Sequence, residues 1–541
     1  MISRSTAALL LAILAGSTWS TSALAQERAV TDRVDLFAAD GLFSVDIEGA
    51  FRWRTNASSQ MDMGLYPAVN RYGIRPPLGR SFGLDSSDLQ FSTDFRMRLH
   101  PVLHIGERGD VHMVLDIIDS HAGDSIVSDF KRTISSDFAV PIAGQDGSTA
   151  NVLAVRMAWG ELFLWNLVTL KAGRLPASWG LGILENDASD WDTDGGDAVD
   201  GVALSGAFAG MTAEISLDWP LEGTQATDPF SPWAPPVDLG DRDDIWQWRV
   251  KFTRIDTFGP STLEFGLYGR LRFQEFSSLG SRNPNEVCAA AYEWDPKYDC
   301  TELLWRDATV FNPDGYIRFT HKFDSSLRLR LEGEIAARYA SLGASQGFAG
   351  KDTSKTLYGV GGVARGFLEA TNNWKAGLEF GAASGDDGAQ AFGILDRYVI
   401  AEPDDSVWES SPVASNSTVT SFALHPNFLV DQILFRNVVG AVTNAWYLKP
   451  SIQTTLDHGP YGHVFMEGSL LFARAFVASS TPGEEANLGA EGNITFGADL
   501  FKHIQLRMQG GLLIPMEGIK GGSTIQDPLP WTARLLLNIH L

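Results

Sequence analysis

A hydrophobic period of two, sustained over runs of roughly 10–15 residues where strands of soluble proteins cluster near 5–6, constrains this chain more than any other feature. Between Leu327 and Tyr339 the odd positions Leu327, Leu329, Leu331, Ile335, Ala337 and Tyr339 are apolar, and Arg328, Arg330, Glu332, Glu334 and Arg338 fall between them. Leu89, Phe91, Phe95, Met97 and Leu99 alternate with Asp88, Asp94, Arg96 and Arg98; Leu488, Ala490, Ile494, Phe496 and Leu500 alternate with Glu491, Asn493 and Asp499. Successive side chains on a strand point to opposite faces, so each run has one greasy and one charged side. A soluble sandwich also alternates, but a tilted strand needs about 9–11 residues to cross a bilayer. Only a closed barrel satisfies every backbone group of a sheet in lipid. The pattern predicts an all-β fold, a transmembrane antiparallel up-and-down β-barrel.

Eighteen such segments fit between 42–54 and 530–541, joined by connections that alternate long and short. Long ones fall near 55–87, 120–150, 176–197, 220–243, 276–313, 341–354, 385–443, 478–485 and 516–529; the others are turns of a few residues such as Asp324-Ser325. An even strand number with short periplasmic turns and long outer loops is the rhythm of bacterial outer-membrane barrels, and it puts both termini in the periplasm. Trp53, Trp165, Trp219, Trp246, Trp374, Trp446 and Trp531 sit near strand ends, where amphipathic rings form interfacial girdles. The chain stops on an apolar strand, the kind barrel-assembly machinery reads, with Leu541 in place of the usual aromatic.

The N-terminus carries an address. Arg4, the apolar stretch Ala7–Ala15 and Ala23-Leu24-Ala25 read as a secretory signal cleaved after residue 25. Residues 26–41 then form a short periplasmic segment and 42–541 the barrel. Composition excludes two classes. The formal charge of −24 leaves no basic footprint for nucleic acid, and beyond the first thirty residues no run is apolar enough for a spanning helix.

Two motifs match catalytic signatures without the structural context those signatures need. Gly343-Ala344-Ser345-Gln346-Gly347 fits a nucleophile elbow, but it follows a barrel strand rather than feeding a helix. Gly359, Gly361 and Ala364 fit a dinucleotide fingerprint inside a strand, where thin residues in a curved wall are the plainer account. No zinc spacing or phosphate loop is present, and no enzyme is expected. Asp190, Asp192, Asp194 and Asp197 resemble the opening of a calcium loop, although the twelfth position is Gly201 instead of Glu. Ca²⁺ binding and a solvated acidic loop both stay open. Cys288 and Cys300 share one outer loop, where an oxidising setting favours a disulfide.

The polar faces describe a lumen. Arg96, Arg98, Arg249, Lys251, Arg270, Arg272, Arg328 and Arg330 supply basic groups on early and middle strands, Glu332 and Glu334 lie among them, and Glu379, Glu467, Glu491 and Asp499 supply acids later. Two opposed arcs of charge would favour polar solutes through a transverse field. Pairing into salt bridges that brace the wall is the equal alternative. Phe422, Leu424, Phe428, Leu429, Ile433, Leu434 and Phe435 are too apolar for a loop in water, so the 385–443 loop is expected to fold inward as a constriction or plug.

Three blocks carry a resemblance: Arg156-Met157-Ala158-Trp159-Gly160-Glu161; Ala172-Gly173-Arg174-Leu175-Pro176 with Trp179-Gly180-Leu181-Gly182-Ile183-Leu184; and Asp192 through Asp200. A later block, Thr443-Asn444-Ala445 with Tyr447 and Pro450, joins them. Together they resemble an uncharacterised porin-like outer-membrane family known mainly from myxobacterial genomes, with wider similarity to porins and alginate-export-type barrels. The resemblance implies an 18-stranded barrel and assigns no functional residues. Three readings follow: a porin-like channel for small polar solutes, a dedicated exporter of an anionic polysaccharide, and a surface scaffold or adhesin with a sealed lumen. The partners expected are the outer-membrane bilayer, the assembly machinery and small polar solutes, with a homo-oligomer left open.

Overall fold

The computed structural model describes residues 43–61, 89–122, 154–164, 168–220, 245–278, 303–342, 355–370, 373–387, 389–390, 395–396, 418–459, 462–520 and 529–540. Eighteen long strands form one ring: β1 (Phe43–Ser59), β2 (Leu89–Ile105), β3 (Gly109–Ala122), β4 (Ala154–Leu164), β5 (Val168–Pro176), β6 (Ala198–Phe208), β7 (Met211–Trp219), β8 (Trp246–Phe258) and β9 (Ser261–Ser278) make its first half. The second half is β10 (Leu303–Lys322), β11 (Leu327–Leu342), β12 (Lys355–Ala370), β13 (Trp374–Ala383), β14 (Ala445–Gly459), β15 (Gly462–Ala475), β16 (Asn487–Leu500), β17 (Ile504–Pro515) and β18 (Trp531–His540).

Every strand pairs antiparallel with its sequence neighbours, and the ring closes where Phe51 meets Ile539 and Ser59 meets Trp531. A closed ring has no edge, so the backbone donors and acceptors of its paired strands are satisfied without water. The first described residues of β1 and the last of β18 lie at the end that carries the short turns. Thr418–Val419 adds a two-residue parallel bridge to Thr356 and Leu357 of β12, inside the 385–443 connection. The strand at Leu303–Lys322 starts eleven residues earlier than the alternation from 314 predicts. Its extension passes through a register shift between Trp305 and Ala308, which the period-two pattern does not register.

The wall is inverted relative to a water-soluble protein. Ile317, Ile335, Leu331, Leu378, Ile452, Leu470 and Phe496 are exposed, while Glu332 and Glu334, one position along from Leu331 and Ile335, are buried. Trp219, Trp246 and Trp531 cap this apolar surface at the long-loop end, and Phe258, Phe323, Trp374 and Phe501 at the short-turn end. No helix among the described residues is long and apolar enough to cross a membrane; the greasy band is made of strands. The segments expected as signal and periplasmic leader, the G-x-S-x-G loop, Trp165, and Cys288 with Cys300 lie outside the described residues.

Candidate functional site

The fourteen charged residues expected to line the lumen all fall within the paired strands of the ring. Their surroundings differ from an open pore, however. Arg96, Arg249, Arg270, Glu332, Glu334 and Glu491 are buried, and two loops lie over them.

The first loop, 177–197, leaves β5 at Pro176 and dives into the ring. Trp179 inserts against β9 and β10: its indole nitrogen donates to Asp314 Oδ1 at 2.8 Å and its ring stacks on Tyr268 at 5.4 Å. It can do so because β9 has Gly266 there, where a Cβ would sit 2.6 Å from the indole. Two residues on, Leu181 N–H donates to Glu334 Oε2. Glu185 then forms a buried hub. Its carboxylate accepts from Tyr268 Oη at 2.5 Å, Arg270 Nη1 at 3.1 Å and Arg249 Nη1 at 3.4 Å. Burial alone would raise this carboxyl, but Arg249, Arg270 and Lys251 hold it down at about 2.

On the far side of the ring the same loop reaches β1, β2 and β18. Arg52 and Arg54 bind Asp194 at 2.8 and 2.6 Å. Asp192 accepts from Arg534 at 2.5 and 2.9 Å, and Arg54 and Arg96 take carbonyls of Asp192 and Thr193. Arg156 Nη2 donates to the Gly195 carbonyl. Against the cost of burial, Arg436, Arg534 and Arg54 hold the Asp192 carboxyl well below the usual carboxylate range. The acidic run is therefore neutralised by guanidinium groups. Asp190 accepts the amide of Asp192 in its own loop, and Asp197 sits 3.4 Å from His425 Nε2. Among the described residues no three His, Cys, Asp or Glu side chains are placed to hold a metal ion.

The second loop runs from Thr420 to Asn444. Phe422, Leu424, Val430, Ile433, Leu434, Phe435, Val438 and Val439 are buried and share one apolar cluster with Trp179, Ile183, Leu184, Tyr268 and Tyr316. That cluster lies inside the ring, where a soluble protein keeps its core. Gly361 of β12 is the seat for this loop: a Cβ there would come within 2.5 Å of the Phe422 ring and 2.8 Å of Leu424. The glycines that look like thin wall residues in the sequence thus serve close loop approach. Glu491 of β16 anchors the turn that follows, accepting from the amides of Gln432, Ile433 and Leu434 at 2.8, 3.1 and 2.8 Å. Asp431 accepts from Phe435 N and Arg436 N at 2.9 and 3.0 Å. Its burial pushes the carboxyl up to about 6. Lys449 Nζ closes the anchor on the Val430 carbonyl at 2.6 Å.

The loops meet at Arg436 Nη1 to Asp192 Oδ2 at 2.9 Å, at His425 N–H to the Ile183 carbonyl at 2.8 Å and at His425 Nε2 to Asp197 Oδ1 at 3.4 Å. Towards the short-turn end the wall is less covered. Arg318, Arg330, Arg365, Lys375 and Arg328 there keep 24–48% of their side-chain surface and pair with Glu332 and Glu369. Arg98 pairs with Asp116, Asp499 with Arg507 and His463, and Arg272 donates to Gln247. Glu379 accepts from Tyr447, and Lys251 holds Glu214. Glu467 stands on β15 opposite Gln453 and Thr495. At the level of the loops the charges are locally ion-paired. Sequence reasoning missed Arg52, Arg54, Arg156, Glu185, Arg436 and Arg534. The parity that places Arg96 inside also places Arg52, Arg54 and Arg534 inside.

No family model and no curated protein matches the chain, so the resemblance to the myxobacterial-type family stands on its motifs alone. Solved structures do match in outline. The chain aligns with the outer membrane protein OprD from Pseudomonas aeruginosa at 9% identity and a TM-score of 0.44, covering 94% of this chain and 97% of that one. It aligns with OccK9 (OpdG) of the same organism at 13% identity and a TM-score of 0.45, over 92% and 98%. For OccK11 (OpdR) of P. aeruginosa the values are 8%, 0.45, 92% and 96%. The 18-strand architecture itself follows from the strand pairing.

Proposed function

We propose that this chain is an outer-membrane porin-like channel, both termini periplasmic, that passes small polar solutes through a lumen narrowed by two inward loops. The observation that carries the reading is their meeting at Asp192–Arg436 across a ring whose inner wall is charged and whose outer wall is apolar. Such a passage excludes greasy solutes by desolvation and favours those that exchange water for fixed charges. A polyanion exporter fits less well, since it needs a row of uncommitted cations and Arg52, Arg54, Arg98, Arg249, Arg270 and Arg534 each bind a carboxylate. The apolar cluster within the lumen favours one competing reading, a sealed scaffold barrel.

Planar-bilayer recording of the purified chain, with liposome swelling in sugars and charged solutes, tests this. Steady conductance that rises when residues 416–440 are deleted supports a constricted channel. A wild type and a deletion variant that are both silent would overturn it.

A further inference from the structure

A second group of side chains lies on β2, β3 and β4, nearer the short-turn end. His100 Nε2 and His112 Nδ1 stand 3.4 Å apart. His112 lies flat on Trp159, with ring centroids 4.6 Å apart and planes 1° from parallel. Trp159 Nε1 in turn donates to Glu161 Oε1 at 2.9 Å. That oxygen is 3.9 Å from His112 Nε2, a buried nitrogen with no hydrogen-bond partner. The imidazole is thereby fixed with one nitrogen aimed at His100 and the other at a carboxylate.

Two nitrogens bound to one tetrahedral metal at about 2.0–2.1 Å lie about 3.4 Å apart, which is the spacing this pair already has. A metal-bound histidine gives its other N–H to a carboxylate that orients the ring, and Glu161 stands on that side. Glu48 of β1 lies directly across the strand register from His100 and is exposed, so it can supply an oxygen by rotating. Glu161 and Asp110 add negative charge around the pair, against Lys171 and against His104, which is itself held between Asp46 and Asp110.

We propose that His100 and His112 bind a divalent transition cation of the Zn²⁺ type inside the lumen, with Glu161 as the orienting carboxylate and water or Glu48 in the remaining positions. Nitrogen ligands select such ions over Mg²⁺ or Ca²⁺. The site is separate from the Asp190–Asp197 run.

Calorimetric titration of the full, tag-free chain folded in detergent reads the binding without reference to conductance. ZnCl₂ at pH 7.5 is expected to give one saturable site and MgCl₂ none. His100→Gln and His112→Gln, which keep hydrogen-bonding capacity, should each weaken zinc binding at least about tenfold, and Glu161→Gln roughly tenfold. His321→Ala, which removes a histidine bound to Ser261 on another strand, should leave it unchanged. The heat-dependent gel shift of a folded barrel checks each variant. Absence of a saturable site in the wild type, or its survival in both folded glutamine variants, overturns the proposal.

Discussion

Asp192→Asn should release the 177–197 loop from the wall without unfolding the ring. The carboxylate accepts from Arg534 at 2.5 and 2.9 Å, Arg436 at 2.9 Å and Arg54 at 3.4 Å, and only 12% of its side chain is exposed. A hydrogen bond to a charged group contributes about 1.5–3 kcal/mol, and breaking a buried ion pair costs about 3–5 kcal/mol because the partner charge stays behind. Asparagine keeps one acceptor oxygen for three guanidiniums, so about 3 kcal/mol of loop anchoring is a fair lower figure. At about 1.4 kcal/mol per factor of ten, the open form of the loop rises roughly a hundredfold. The ring itself, held by its continuous strand pairing, is unaffected. Hydrogen exchange reads this directly. The Asp197 amide, bonded to the Asn186 carbonyl at 2.8 Å, should exchange roughly a hundred times faster in the variant, while amides of β11 keep their protection. Unchanged exchange at Asp197 would show that the arginines hold the loop through its carbonyls alone, and the reasoning would fail.

Four further outcomes follow from the same geometry. Glu491→Gln offers one oxygen where three amides now bind two, so trypsin cleavage after Arg436 should accelerate about tenfold or more; an unchanged rate removes Glu491 as an anchor. Because burial lifts Asp431 to about 6 from an ordinary 3.8, the folded loop holds that proton better than a free chain. Its anchoring is then greatest below about pH 4 and falls as pH rises towards 6, which exchange of the Phe435 and Arg436 amides, corrected for intrinsic rate, should reveal; a flat profile, or the same slope in Asp431→Asn, counts against it. Gly361→Val drives a side chain into Phe422 and Leu424 and should cost about 1–3 kcal/mol of loop packing, seen as increased channel noise or protease access; silence in both contradicts the seat assigned to Gly361. Ile335→Arg, on the exposed greasy face, should lower stability in lipid vesicles by about 2–4 kcal/mol; no loss would argue that this face does not touch lipid.

The ring was legible because its rule is local. Alternation sets which face each side chain takes, strand length selects a bilayer over water, and the long–short rhythm counts the strands; none of these needs a tertiary contact. The apolar run from Phe422 to Phe435 also announces its need for cover from composition alone, and in the structure it lies buried against β12 and β16. What the sequence hid is who covers whom. Asp192 and Arg534 are hundreds of residues apart, and nothing in either neighbourhood marks the other as its partner. The acidic run resembled a calcium loop because the spacing of carboxylates is visible, whereas the guanidiniums that neutralise it are scattered over β1, β2, β18 and the second loop. Gly361 reads as a thin residue in a curved wall for the same reason: its purpose is the Phe422 ring brought to it from elsewhere.

One carboxyl group, Asp192, is gripped by an arginine from the first strand and another from the last. During biogenesis these two cations cannot flank it until the polypeptide's opposite ends have zipped together, since Arg54 and Arg534 come within reach only along the seam that β1 and β18 create. The Asp192 end of the loop thus acts as a clasp fastened only once the cylinder is complete, and in a half-assembled sheet that carboxylate would lack one of its two flanking cations.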